Sequence, residues 1–197
     1  MNVKNKFLFV MLFAYSVFAE AELDTLRAFY ANGNLSRIWT VQKNTNVKEG
    51  LSKTYYETNK LAIEIPYQFG KINGIYKTFY PNGTLKQIVH YKNDRETGSS
   101  ESFFENGKLK QREFYKEGVL DGLSERFDSL GILLESLPYK NGKLEGKAKI
   151  FNADGILKED MDFSNGIRNG YYRKYDKGIM IKQMHFSFNR CDSGCSD

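Results

Sequence analysis

From Leu51 onward the chain alternates apolar and polar residues with a period of two, and glycine breaks the alternation at regular intervals. In the stretch Leu85 to Tyr91, Leu85, Gln87, Val89 and Tyr91 fall on one side of an extended backbone while Lys86, Ile88 and His90 fall on the other. After the amino-terminal apolar run no stretch repeats its apolar residues at helical spacing, so the pattern predicts strands. The breaks carry residues that accept a positive φ. Asn82-Gly83, Asn106-Gly107 and Asp154-Gly155 mark one tight turn, with Asn59 in the same place one unit earlier; Gly70, Gly118, Asn141-Gly142 and Asn165-Gly166 mark a second. Pro66 and Pro138 share a slot near a strand end, where a missing N–H is tolerated.

This punctuation is periodic. Gly50, Gly74, Gly98, Gly122, Gly146 and Gly170 stand 24 residues apart, a regularity that 17 glycines scattered over 197 residues do not produce by accident. A first aromatic column keeps the same step at Tyr55, Phe79, Phe103, Phe127, Phe151 and Tyr175. A second runs through Tyr67, Tyr91, Tyr115, Tyr139 and Phe163, with Phe186 one residue early because the turn at Lys177-Gly178 is a residue shorter. Leu61, Leu85, Leu109, Leu133 and Leu157 form a third column. Five full units span residues 51–170. An amino-terminal capping segment, residues 20–50, holds a divergent unit (Phe29, Tyr30, Asn32, Gly33, Leu35); a truncated unit covers 171–190, and a Cys-containing tail covers 191–197.

A lone two-stranded hairpin is marginal in water, so each unit is expected to lay its apolar side against that of its neighbours and to build a core by stacking. Each large side chain buried in this way contributes about 1.5–3 kcal/mol. The predicted fold is all-β: tandem 24-residue hairpins forming one elongated, twisted antiparallel sheet. At about 4.8 Å per strand it is roughly 60–70 Å long.

The unit, aromatic-x-Asn-Gly-x-Leu followed by Tyr-Lys-Asn-Gly-Lys-x-x-Gly as in Tyr139 to Gly146, resembles the MORN repeat variant found in tandem in many bacterial proteins. The resemblance covers nearly all of the chain beyond residue 20. It implies hairpins strung into an extended sheet, and contact with proteins or membranes rather than chemistry. Some proteins with this variant are called antitoxins, and related repeats stand beside the kinase domain of phosphatidylinositol phosphate kinases. This chain has neither a phosphate-cradling glycine loop nor a catalytic-loop pattern, which sets it apart from the kinases.

At the amino terminus Lys4 and Lys6 precede an apolar run, Phe7 to Phe18, that ends in small residues at Val17 and Ala19, with Ala19 and Ala21 as a second choice. That is the layout of a secretory signal peptide, residues 1–19. An uncleaved anchor needs roughly 20 apolar residues, and here Glu20, Glu22 and Asp24 follow at once. The absence of a Cys near the cut argues against lipid anchoring. The expected location is therefore outside the cytoplasm: periplasmic, on the outer surface, or secreted from a bacterium.

Charge changes this picture little. The chain has 29 Lys and Arg against 24 Asp and Glu, and Lys4 and Lys6 lie in the expected leader. Because the two signs are interleaved rather than gathered into a block, no nucleic-acid partner is expected. Candidate chemistry is sparse. His90 and His185, the only histidines, occupy the slot before the second aromatic, which elsewhere holds Pro66, Phe114, Pro138 and Asp162, and so read as strand-surface residues. Glu135 and Glu159 recur one unit apart, about 10 Å, which is wide for a catalytic carboxylate pair. Nothing pairs a nucleophile with an orienting base. No enzymatic activity, cofactor, metal or small-molecule substrate is expected.

Cys191 and Cys195, in CDSGC, are the only cysteines, and in an exported chain they are expected to form a local disulfide that blunts the last strand. A zinc site adding His185 and Asp192 fits the spacing poorly. The functional expectation is an interaction scaffold with a protein partner, contacting it through Tyr76, Tyr80, Phe104 and Tyr172 on the variable face of the sheet. The alternatives are an antitoxin or immunity protein neutralising a toxin, and a module binding an anionic membrane surface.

Overall fold

The computed structural model describes residues 22–195. The expected signal peptide, residues 1–19, lies outside the described residues. The described chain is all-β, with 18 strands in one open antiparallel sheet built as a run of hairpins. The first strands of the units are Gly50–Tyr55, Gly74–Phe79, Arg95–Phe103, Gly122–Phe127, Gly146–Phe151 and Ile167–Asp176. Their hairpin partners are Leu61–Gln68, Leu85–Lys92, Leu109–Lys116, Leu133–Lys140, Leu157–Ser164 and Ile179–Ser187. A divergent hairpin, Leu23–Phe29 with Leu35–Gln42, opens the sheet and the short strand Arg190–Ser193 closes it.

The register is the same in every unit. Within one hairpin Gly74 faces Tyr91, Tyr76 faces Val89 and Thr78 faces Gln87. Between hairpins Ile63 faces Thr78 and Glu64 faces Lys77. The identical inter-unit step joins Arg37–Thr54, Gln87–Ser102, Gln111–Arg126, Glu135–Ile150 and Glu159–Lys174. Two local features hold this beat. At the second turn of each unit, the tight one, both central residues are left-handed, as at Asn141 (φ 49) and Gly142 (φ 76), the twist that matches flanking strands, whereas at Asn82-Gly83, Asn106-Gly107 and Asp154-Gly155 only the glycine is. At the column glycine the chain presses on the preceding strand in some units: a Cβ at Gly122 (φ +141) would lie 2.7 Å from the Cβ of Phe114, and one at Gly170 (φ +121) 2.7 Å from the Cβ of Asp162. Only glycine relieves both the dihedral and the contact.

Neighbouring units are also tied at both rims. On the tight-turn rim the N–H groups of Asp94, Gly118, Gly142 and Gly166 donate to the carbonyls of Ile72, Glu96, Leu120 and Leu144. On the other rim the hydroxyls of Tyr30, Tyr56 and Tyr80 donate to the carbonyls of Tyr55, Phe79 and Phe103 at 2.6, 2.7 and 2.8 Å.

The expected stacked core is corrected by this arrangement. Units stand side by side, edge to edge, in a single layer, and among the described residues the only buried apolar side chains are Val41, Ala62, Val89, Ala148 and Phe186. Backbone pairing and rim ties, rather than a second layer, join the units. Directly paired residues share a face. One face therefore carries Tyr76, Thr78, Gln87, Val89 and Tyr91 together with their equivalents, and the opposite face carries Ile75, Lys77, Ile88 and His90 with theirs.

Candidate functional site

The face that carries Val89 is grooved, and its character changes along the array. Towards the amino terminus Ala62, Ile63, Tyr76, Thr78 and Phe79, with Tyr56, Lys86 and Gln87, enclose about 350 Å³. Tyr76 stands edge-on to Tyr91 with ring centroids 6.1 Å apart. Next comes a polar recess of about 70 Å³ between Gln87, Ser100, Ser102, Gln111 and Glu113. Towards the carboxyl terminus the groove widens again to about 390 Å³, walled by Leu137, Leu144, Ala148, Ile150, Met161 and Phe163 together with Glu159, Arg168 and Tyr172.

The polar recess is internally organised. Glu113 accepts hydrogen bonds from Gln111 Nε2 at 2.8 Å, Tyr115 Oη at 3.0 Å and Ser124 Oγ at 3.4 Å. Tyr91 Oη donates to Glu96 at 3.1 Å. Burial first, and then the neighbouring carboxylates Glu96 and Glu113, push the Tyr91 and Tyr115 hydroxyls up to about 12. Both hydroxyls therefore stay neutral donors at any physiological pH. In the carboxyl-terminal groove burial raises Tyr172, and its bond to Glu159 raises it further.

The opposite face is cross-linked by charge. Arg112 lies between Glu101 at 2.9 Å and Glu125 at 3.7 Å. Asp160, only 5 % exposed, receives Arg173 at 3.0 Å, Lys147 at 3.4 Å and the Tyr175 hydroxyl at 2.8 Å. Lys147 also reaches Asp162 at 3.0 Å. Burial alone would raise the Asp162 carboxyl, but Lys147, the Tyr171 N–H and Arg173 outweigh it and hold the group below the usual aspartate value.

The four expected contact residues do not share one surface. Tyr76 and Tyr172 lie on the grooved face, in its two apolar grooves. They are four units apart, about 40 Å at the spacing of paired strands. Tyr80 and Phe104 sit instead in the turn slot of successive units, where the Tyr80 hydroxyl joins its unit to the next. The alternation that placed them together is broken by a register shift after Thr78 and again after Ser102.

His90 Nδ1 donates to the Ser99 carbonyl at 2.8 Å, and His185 Nδ1 lies 3.2 Å from Asp192 while its ring meets that of Tyr171 edge-on. Glu135 accepts from Arg126 Nε at 3.1 Å, a bond that lowers its pKa against a smaller opposing effect of burial. Cys191 and Cys195 are joined as a disulfide with Cα atoms 6.2 Å apart. Among the described residues no group of three or more His, Cys, Asp and Glu is placed to hold a metal ion.

Sequence reasoning missed Ile150, Met161, Glu113 and the buried Asp160. The signal that finds the first three is the hairpin register itself: residues two and four after each column glycine, and two and four after each column leucine, line the grooves.

No curated protein matches the chain. The MORN repeat variant matches residues 48–68, 72–93, 96–117 and 144–165, and each matched segment coincides with one of the hairpin units described above.

Proposed function

We propose that the protein is an exported, non-enzymatic scaffold that holds an extended segment of another protein along its grooved face. One observation carries this reading: a one-layer sheet presents apolar, polar and apolar grooves in succession on one face, with Ile63, Ile150 and Met161 open to whatever lies there. Apolar pockets interrupted by a few fixed donors and acceptors suit a peptide whose side chains alternate in the same way. MORN repeats are generally found in binding and scaffold proteins. Export rests on the amino-terminal leader and on a cysteine pair suited to an oxidising compartment.

The test is capture from envelope extract by three chains. Wild type and Tyr171→Lys, whose change lies on the opposite face, are expected to retain the same species, and Ile63→Lys combined with Met161→Lys is expected to lose it. Loss with Tyr171→Lys alone, or retention by the double variant, refutes a role for the grooved face. An immunity protein is the special case in which the captured species is a toxin.

A second reading, binding to an anionic membrane surface, is favoured by one recess on the tight-turn rim. There Lys71, Lys92 and Arg95 gather around about 310 Å³ beside Glu117, and Ile75 and Phe114 are exposed on the opposite face. Flotation with vesicles containing anionic lipid, but not with neutral ones, and its loss in Lys71→Glu with Arg95→Glu, would favour this reading over the first.

A further inference from the structure

The two ends of the sheet are complementary halves of a step that the chain makes six times within itself. Each internal step pairs two residues of one hairpin's second strand with two residues of the next hairpin's first strand, as Ile63 with Thr78 and Glu64 with Lys77. The last second strand, Ile179–Ser187, offers Lys182 and Gln183 in those places, as their pairing with Lys174 and Arg173 fixes. The opening strand, Leu23–Phe29, offers Ala28 and Arg27 in the reciprocal places, as their pairing with Arg37 and Ile38 fixes.

The backbone groups point the right way. In the internal units the carbonyls of Pro66, Phe114 and Pro138 accept N–H groups from the side of the next unit. Gln183 is two residues before His185, the residue in that same slot, so by strand alternation its N–H and C=O face outward from the last strand. Arg27 takes the place of the residue that receives them, so its own N–H and C=O face outward from the first strand. One position further along this register, Phe29 (60 % exposed) would meet Ile181 (58 % exposed).

The disulfide-closed tail stands on this edge. Ser187 pairs with Arg190 and Phe186 with Cys191, which covers the far part of the strand. Beyond that, Gly194 lies so close that a Cβ on it would run into the Gln183 carbonyl oxygen. The Cys191–Cys195 bond closes the loop that holds Gly194 there.

We propose that the Cys191–Cys195 loop is a removable end cap, and that opening it lets the edge Ile179–Gln183 take the strand Leu23–Phe29 of a second copy, head to tail, in the register of the internal steps. The occupant is a second copy because its edge continues an interface the chain already contains. Opening needs a dithiol reductant. The reductant supplies two electrons and two protons, the S–S bond separates into two thiols, and the dithiol closes to its own disulfide.

Light scattering after size exclusion tests this on the chain without its leader. The oxidised protein is expected to run as a monomer. Excess dithiol, or Cys191→Ser with Cys195→Ser, is expected to raise the weight-average mass at least twofold at high concentration. Adding Arg27→Pro to the double serine variant removes only the outward donor of an edge strand, a place where proline is tolerated, and is expected to restore the monomer with an unchanged strand signal. In the same serine background, differently tagged chains carrying Ala28→Cys and Lys182→Cys are expected to cross-link to one another. An unchanged mass on opening overturns the proposal, as does an increase that Arg27→Pro leaves intact or the absence of the cross-link. An oxidised protein that already assembles through an Arg27→Pro-sensitive contact shows that the tail is no cap and overturns it equally.

Discussion

The amino-terminal and carboxyl-terminal units share one backbone step but fasten it by different means. In the first three units a tyrosine in the turn slot spends its hydroxyl on the next unit, from Tyr30, Tyr56 and Tyr80. From the fourth onward that slot holds Phe104, Asp128 and Asn152. Phe104 has no hydroxyl, while the Asp128 and Asn152 side chains turn back on their own turn, Asp128 accepting from the N–H groups of Leu130 and Ile132 and Asn152 from those of Asp154 and Ile156. At that rim Asn106 Nδ2 and Lys108 Nζ still donate to the carbonyls of Ser129 and Leu130 in the next unit, and on the opposite face Arg112 reaches Glu125 and Arg173 reaches Asp160 across a unit boundary, while Lys147 braces Asp160 and Asp162 within its own hairpin. The comparison teaches that the glycine columns and the turns set the period, while the fastening between units is free to vary. In a repeat array each fastening stabilises mainly its own neighbourhood.

The strongest way to break this comparison is to remove the most buried fastening. Asp160→Ala leaves Arg173 and Lys147 without the carboxylate they share and the Tyr175 hydroxyl without its acceptor, and because both cations are partly exposed and Lys147 keeps Asp162, the loss of these charge-assisted bonds costs about 1.5–3 kcal/mol. Tyr56→Phe removes one hydroxyl-to-carbonyl bond, at about 1 kcal/mol. Trp39, the single tryptophan, lies in the first hairpin and reports on that end. In urea, Asp160→Ala should lower the midpoint seen by circular dichroism far more than the midpoint seen by Trp39 emission, and Tyr56→Phe should do the reverse. Equal shifts on both probes would mean that the two ends unfold as one and that the fastenings are not local.

Much of this architecture can be read directly in the sequence, for a physical reason. A turn that demands left-handed residues, and a strand start that leaves no room for a Cβ, both write glycine or asparagine at fixed places, so the hairpins and the period are visible. The thinness of the core is not, because alternation distinguishes two faces without saying how far either is buried. Tyr80 and Phe104 were misplaced for a related reason: the bulges after Thr78 and Ser102 reset the alternation just before them. Asp160 was invisible because Lys147 and Arg173, which make it a buried node, lie 13 residues away on either side and meet it only across the ladder.

Acid separates the two halves by a smaller margin. Glu135 and Asp162 are held below their ordinary values of 4.5 and 3.8 by Arg126, and by Lys147 with the Tyr171 N–H, respectively. A carboxyl whose folded pKa is depressed contributes stability that is present above its unfolded pKa and is lost as pH falls through the folded one. Both groups lie in the carboxyl-terminal half. As pH is lowered from about 4.5, strand signal in circular dichroism should fall before Trp39 emission shifts. Coincident curves would show that the charge fastenings add nothing to their own end.

The finest probe converts one kind of fastening into the other. Phe104 occupies the slot of Tyr80 one unit on, with its ring under the Lys110 ammonium at 5.8 Å. A hydroxyl added there points where the Tyr80 hydroxyl points in its own unit, at the carbonyl of the next first-aromatic residue, Phe127 in this case. Phe104→Tyr should therefore extend the tyrosine ladder by one rung and stabilise the central units by about 0.5–1 kcal/mol, seen as slower amide exchange at Phe127 and its neighbours. The same change at Asn152 should not help, because Asn152→Tyr forfeits the two turn bonds that its side-chain oxygen accepts from Asp154 and Ile156. Stabilisation at both positions, or at neither, would mean that the rim tie depends on something other than a hydroxyl reaching the next unit's carbonyl.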